Sequence, residues 1–212
     1  MIQYSIFINI SIYSLLVPIF TGVYRIRVLS REIKLLIVYL IIAFTIAVSI
    51  NWFPNDQWSM KILHVNTLVE YIFVMFIMYS WQESQKIKMI MKVLVWSYIL
   101  FWFCAKVTFE PISGLYSITS SVSQVILALS AGYTLFVVIG NHVQPLLHLQ
   151  LFWVLIALVL NYTSTLIPTA LTGVLFTQPG EELVLLYSIN WILIIFSNIL
   201  LAIGILCPPN LQ

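Results

Sequence analysis

Long apolar runs alternate with short polar segments along the whole chain. Seven runs have the length of a membrane-spanning helix; they cover about residues 3–23, 35–53, 62–81, 90–107, 116–140, 147–172 and 183–206. A helix crosses the hydrocarbon core of about 30 Å in about 20 residues, and these runs lack the two-residue alternation of a transmembrane β-strand. The pattern predicts an all-α, polytopic membrane protein, a bundle of seven transmembrane helices.

The segments between the runs are too short to fold on their own. EPISG, NHVQP and TQPGEE combine Pro, Gly, Asn and charged residues, which favour turns at a membrane surface. The composition agrees, because 62% of the 212 residues are hydrophobic and only 8% are charged, too few to cover a soluble protein. We therefore expect one transmembrane domain, residues 1–212, and no nucleic-acid partner.

Positive charge is concentrated at one end of the predicted bundle. Seven of the nine basic residues flank the first and third loops: Arg25, Arg27, Arg31, Lys34, Lys86, Lys88 and Lys92. Lys61 and Lys106 lie toward the other end. Because cytoplasmic loops retain positive charge, the sequence predicts an outside N-terminus and a cytoplasmic C-terminus in the cell membrane. The first run has its arginines after it, as expected of a retained helix rather than a cleaved signal peptide.

Motifs of common enzymes and metal sites do not occur in the sequence. It has no H-E-x-x-H pair, no G-x-S-x-G elbow and no phosphate-binding glycine loop, and the last run has no lysine for a retinal Schiff base. Cys104 and Cys207 fall at opposite ends of the predicted bundle and form no C-x-x-C pair. We expect no metal and no cofactor, and a binding protein rather than an enzyme.

The third run, KILHVNTLVEYIFVMFIMYSW, carries an acidic residue near its middle. Glu70 follows Lys61 by nine residues, which places it about 13 Å below the outer surface. An ionised carboxylate facing lipid there costs several kcal/mol, so the group is expected to face protein, water or a ligand, and to be neutral or hydrogen-bonded in the empty site. Asn66 and Thr67 lie one turn outward on the same face, with His64 on the adjoining stripe.

Three later runs place their largest polar residues at a similar depth, about 12–16 Å below the outer ends of the helices. Such residues commonly hydrogen-bond one membrane helix to another. Helix association alone, however, does not require polar stripes that stop at mid-depth. We predict an outward-facing polar pocket between the third, fifth, sixth and seventh spans, with ligand-binding residues His64, Asn66, Thr67, Glu70, Ser117, Ser120, Gln124, Asn161, Thr165 and Asn190.

Two other features have simple structural interpretations. Lys106 and Glu110 are four residues apart on one helix, so they can pair with each other; the functional alternative is a rim that attracts a charged ligand group. Pro18 and Pro168 lie well inside the first and sixth spans, and either can kink its helix.

Four segments resemble a group of small bacterial seven-helix membrane proteins with no established activity. They are LLVPIFTGVYRIRVLSREIKLL, NTLVEY, FWVLIALVLNYTS and INWILIIFSNILLAIG. The resemblance implies that Asn66 and Glu70, in N-x-x-x-E spacing, together with Asn161 and Asn198, correspond to polar positions of that group. It also implies the bacterial cytoplasmic membrane and a sensory or signalling association.

Three functions fit this sequence. The first is a membrane-embedded receptor or sensor that recognises a small or lipid-like ligand and acts through a cytoplasmic or membrane partner. The second is a small transporter in which Glu70 binds a proton or cation. The third is a membrane-embedded lipid hydrolase with Glu70 and His64 as acid and base, although these residues lie about 9 Å apart along one helix. We rank them in that order.

Overall fold

The structure is a computed structural model that describes residues 2–52, 56–112, 117–141, 146–175 and 181–208. Over these ranges it is all-helical, and seven segments are long and apolar enough to cross a membrane, which confirms the predicted helical fold and the predicted number of membrane-length segments. The first span consists of α1 (Ile2–Ser14) and α2 (Leu16–Tyr24). The other spans are α3 (Arg31–Trp52), α4 (Asp56–Ser80), α5 (Gln85–Thr108), α6 (Ser117–Asn141), α7 (Gln150–Leu175) and α8 (Glu181–Leu206).

Two helices extend beyond the predicted runs at the end that carries most of the positive charge. α3 begins at Arg31 rather than near residue 35, and α5 at Gln85 rather than near residue 90. A helix tolerates charged residues once it leaves the hydrocarbon core, because their side chains reach the headgroup region. We name this the basic end; α2, α4, α6 and α8 finish there, and α3, α5 and α7 start there.

Pro18 accounts for the division of the first span. A proline inside a helix lacks an N–H, and its ring crowds the carbonyl four residues earlier, here that of Ser14. The helix is interrupted at Leu15, immediately after Ser14. Pro168 lies inside α7, which continues through it. Pro18 therefore interrupts its helix, whereas the sequence predicts only a kink.

Helix packing places α7 between α6 and α8, with which it makes the most extensive contacts in the bundle. α1 and α2 pack against α8 and α3, α3 packs against α4, and α5 packs against α4 and α6. Gly204 allows the close approach of α8 to α7, since a Cβ atom there would lie 2.9 Å from Val154 Cγ2 and 3.1 Å from the Val154 backbone nitrogen. Small residues commonly serve this purpose between membrane helices.

Candidate functional site

Glu70 of α4 meets two tyrosine hydroxyl groups inside the bundle. The hydroxyl groups of Tyr39 of α3 and Tyr162 of α7 both lie beside its carboxyl group, where each can donate a hydrogen bond to it. Both tyrosines are buried, and Glu70 keeps a small accessible surface. The side chain therefore faces the interior, where three helices share one polar junction. We name these three residues the Glu70 cluster.

The three residues of the cluster lie at similar heights. Measured from the basic end, Tyr39 is about 12 Å along α3, Glu70 about 15 Å along α4 and Tyr162 about 18 Å along α7. These heights are close to the middle of a hydrocarbon core of about 30 Å, where a polar group without a partner is costly. Each helix contributes one polar side chain, and the two hydroxyl groups can both donate to the carboxyl group.

A cavity of about 160 Å³ adjoins the cluster between the α1–α2 junction, α3, α7 and α8. Tyr39 and Tyr162 belong to its wall, so they connect the cavity to Glu70. The other polar wall residues are Asn161, Ser197 and Asn198, and the remainder of the wall is made of Leu, Ile and Ala side chains. A largely apolar cavity with a few convergent polar groups is the usual form of a small-molecule site.

Two polar wall residues also join neighbouring helices. Ser197 Oγ donates to the Ala157 carbonyl of α7 at 2.8 Å. Asn198 Nδ2 donates to Ser14 Oγ at 2.7 Å, at the last residue of α1. A molecule in the cavity would therefore lie beside the bonds that hold α8 to α7 and to α1.

The predicted polar layer is divided among several places rather than gathered in one outer pocket. Gln124 connects α6 to α7, because Thr169 Oγ1 donates to its Oε1 at 2.7 Å, and its Nε2 lies 3.4 Å from Ser120 Oγ. Asn190 of α8 packs against another face of α7, in a groove of about 210 Å³ between the two helices that includes Pro168. The shared depth of Gln124 and Asn190 does not place them in a common cavity.

The other predicted residues are similarly dispersed. Asn66 lies in a groove between α3 and α4, and Thr67 Oγ1 donates to a carbonyl of its own helix at 2.9 Å. Thr165 Oγ1 donates to the Asn161 carbonyl at 2.9 Å. Ser117 begins α6, but its side chain lies outside the described residues. Of the ten predicted residues, Glu70 and Asn161 belong to the cluster or the cavity wall.

The cavity lies nearer the basic end than the predicted pocket does. Its wall residues on α3, α7 and α8 are about 8–18 Å from the basic ends of those helices. Sequence reasoning missed Tyr39 and Tyr162, because a tyrosine inside an apolar run is indistinguishable from a core aromatic residue. Their depth is the available signal, since membrane-protein tyrosines are enriched at the interfaces and these two are far from either one.

His64 belongs to a separate buried cluster toward the opposite ends of α4, α5 and α6. Lys106 Nζ lies 3.2 Å from Glu110 Oε2, which confirms the predicted i, i+4 pair. Lys106 also contacts His64 Nδ1 at 2.7 Å and donates to Thr119 Oγ1 at 3.1 Å. The Thr119 backbone N–H donates to Glu110 Oε2 at 3.1 Å. Since an ammonium group has only donors, His64 Nδ1 is assigned as an acceptor.

Arg25 joins α2 to the end of α8 at the basic end. Its guanidinium donates to the carbonyls of Ile205 at 2.9 Å and Cys207 at 2.8 Å, and to that of Leu206. These carbonyls have no partner within their own helix, and a cation is favoured beside them by the helix dipole. Burial raises the pKa of the Cys207 thiol, and nearby Arg25 opposes that shift. Cys207 and Cys104 are both free thiols.

The Glu70 cluster, the adjoining cavity and the α1–α2 interruption form one connected region of this molecule. Three helices and Leu15 at the α1–α2 junction form the cavity wall, and α4 adds the carboxyl group behind it. No protein family, curated protein or solved structure matches this chain.

Proposed function

We propose that this chain is a membrane-embedded receptor or sensor that binds a small molecule in the cavity beside Glu70. The observation that carries the proposal is that Tyr39 and Tyr162 line the cavity and also interact with the carboxyl group of Glu70. A ligand that bonds to either hydroxyl group changes the hydrogen bonding of the carboxyl group. Binding in the cavity and the state of Glu70 are therefore coupled.

The cavity dimensions define the ligand class. A volume of about 160 Å³ is close to that of an apolar cavity of about 150 Å³ that holds benzene. The ligand is accordingly a ring-sized, largely apolar molecule, or the corresponding part of a larger lipid-like one, with one hydrogen-bonding or cationic group. The polar group bonds to Tyr39, Tyr162 or Asn198.

A ligand in this cavity acts on the interruption between α1 and α2. Leu15, the residue at the interruption, is part of the cavity wall, and Asn198 bonds to Ser14 beside it. Loss of that bond frees α1 to change its angle to α2, whose end is attached to α8 through Arg25. The ligand thus shifts the equilibrium between two angles of α1 to α2. A cytoplasmic or membrane partner binds the basic end and responds to this change.

Ring-sized probes should stabilise the folded protein, and the more so when they carry a polar group. We expect benzyl alcohol and benzylamine to raise the thermal unfolding temperature of the protein in phosphatidylcholine nanodiscs more than toluene does. A ligand that binds only the folded state stabilises it by about 2.7 kcal/mol at 100 times its Kd. Differential scanning fluorimetry over a concentration series measures the effect.

Two phenylalanine variants on α3 separate cavity binding from partition into lipid. Ala43→Phe fills the cavity from its wall, whereas Ala47, one turn along α3, is not a wall residue. Ala43→Phe should abolish the probe-dependent shift and Ala47→Phe should leave it unchanged. Equal shifts in wild type and Ala43→Phe would contradict the proposal.

The bundle is further proposed to lie in the bacterial cytoplasmic membrane with its basic end in the cytoplasm. Seven spans place the two termini on opposite sides, and Lys and Arg are concentrated at the basic end. A reporter enzyme that is active only in the cytoplasm should be active when it is fused after Gln212. Activity only of a periplasmic reporter at that position would reverse the orientation.

The geometry supports the hydrolase alternative less than the sensor. His64 and Glu70 are about 9 Å apart along α4, and His64 Nδ1 is engaged by Lys106. The transporter alternative uses the same Glu70 cluster. Probe-dependent proton or cation flux into proteoliposomes, abolished by Ala43→Phe, would favour transport over sensing.

A further inference from the structure

A second groove, of about 230 Å³, lies between α4 and α5 in the half of the bundle nearer the basic end. Its wall shares no residue with the cavity beside Glu70. On α4 it includes Ile72 and Phe76, and on α5 it includes Val95 and Trp96; Ile72, Phe76 and Trp96 are exposed. This groove is an apolar channel open to the surroundings of the helices.

Two lysines lie at the end of the groove that is nearest the basic end. Lys88 Nζ lies 5.7 Å and Lys92 Nζ 5.5 Å from the centre of the Tyr79 ring, so two cations contact one aromatic ring. Across the side chains that the structure describes, the one ion pair is Lys106–Glu110, and neither groove lysine has a carboxylate partner. Two adjacent positive charges in this position favour an anion.

We propose that the α4–α5 groove binds an anionic phospholipid, with its phosphate on Lys88 and Lys92 and one acyl chain along the apolar wall. The heights agree with those of a lipid. Counted from the start of α5, Lys88 is about 4 Å, Lys92 about 10 Å and Trp96 about 16 Å along the helix. Lysine side chains of this length reach back to the headgroup level. The charged end of the groove therefore lies at the membrane surface, and its apolar end lies near the midplane.

An acyl chain in the groove should quench the fluorescence of Trp96. The full chain is placed in phosphatidylcholine nanodiscs that contain one-fifth phosphatidylglycerol, and either lipid is brominated near the middle of its chains. The Trp96 signal is the difference between wild type and Trp96→Phe. We expect brominated phosphatidylglycerol to quench this signal more, per mole of lipid, than brominated phosphatidylcholine. Each lysine contributes about fivefold to the preference for the anionic lipid.

Three variants define the role of the lysines. Lys88→Gln/Lys92→Gln should remove the preference for phosphatidylglycerol, while Lys88→Arg/Lys92→Arg should retain it. Arg27→Gln/Lys86→Gln removes the same charge from exposed positions at the basic end and should leave the preference intact. Circular dichroism in pure phosphatidylcholine checks that each variant is folded.

Three outcomes would overturn the proposal. Equal quenching by the two lipids would show that the groove accepts any acyl chain. No Trp96 quenching by either lipid would show that a protein surface, such as a second copy of this chain, covers the groove. A preference that disappears equally in Arg27→Gln/Lys86→Gln would show attraction to the basic end as a whole.

Discussion

Lys106→Met is expected to lower the free energy of unfolding by about 3–5 kcal/mol, because it leaves Glu110 buried without its ion-pair partner. The side chains of Lys106 and Glu110 are only 8% and 4% exposed. The substitution also removes the contacts to His64 and Thr119. Denaturant unfolding in detergent micelles, followed by tryptophan fluorescence, measures the loss.

A double variant separates the unpaired charge from the other effects of the substitution. Lys106→Met/Glu110→Gln has no buried charge in this pair, and the amide carbonyl that replaces the carboxylate can still accept the Thr119 N–H. It should regain a large part of the stability lost in the single variant. Lys61→Met, at an exposed lysine near the same end, should change stability by less than about 1 kcal/mol, because it removes an exposed cation–π contact with Trp58. If Lys106→Met lowers the free energy of unfolding by less than about 1 kcal/mol, the pair is worth no more than an exposed salt bridge and the prediction is contradicted.

The helical architecture is the part of the structure that the sequence predicts best. Hydrocarbon thickness sets the length of each span, and every backbone polar group within it must be satisfied internally, so an apolar run of about 20 residues leaves few alternatives to a helix. Pro18 marks the site of a disturbance in the first span. The sequence alone does not distinguish a bend from an interruption, because the outcome also depends on contacts from other helices, such as the bond from Asn198 of α8 to the Ser14 hydroxyl beside the interruption.

The position of Glu70 inside the bundle follows from its depth, but its partners do not. A helical pattern gives the height of each residue and the face on which it lies. The rotation of that face is set by packing against neighbouring helices. Tyr39 and Tyr162 are brought to Glu70 by the packing of α3 and α7, which no single span encodes.

The predicted outer pocket also shows that depth and helical face alone do not determine which residues meet. Gln124 and Asn190 lie at nearly equal depths, and both belong to one-sided polar stripes. In the structure they meet different faces of α7: Gln124 of α6 bonds to Thr169, whereas Asn190 of α8 lies in the groove beside Pro168. Much of the polarity in these stripes serves helix association, which is the common use of such residues in membranes.

Glu70→Leu is expected to destabilise the protein by about 2–6 kcal/mol. It removes the common partner of two buried tyrosine hydroxyl groups, and each buried polar group left without a partner costs about 1–3 kcal/mol. Glu70→Leu/Tyr39→Phe/Tyr162→Phe removes all three polar groups together and should be much closer to wild type. The free energies of unfolding in micelles test both expectations, and a triple variant less stable than Glu70→Leu would contradict the assigned hydrogen bonds.

Glu70→Gln tests whether the carboxyl group has a role beyond this structural one. Gln preserves the shape of the side chain and can accept a bond from one tyrosine and donate to the other, so stability should change by less than about 1 kcal/mol. It cannot carry a negative charge. Benzylamine is a cation at neutral pH, so its apparent affinity, measured from the thermal shift, should fall at least tenfold. The apparent affinity of benzyl alcohol should be unchanged. If Glu70→Gln responds to both probes as wild type does, Glu70 serves only to join α3, α4 and α7, and the sensor would depend on the tyrosines and Asn198.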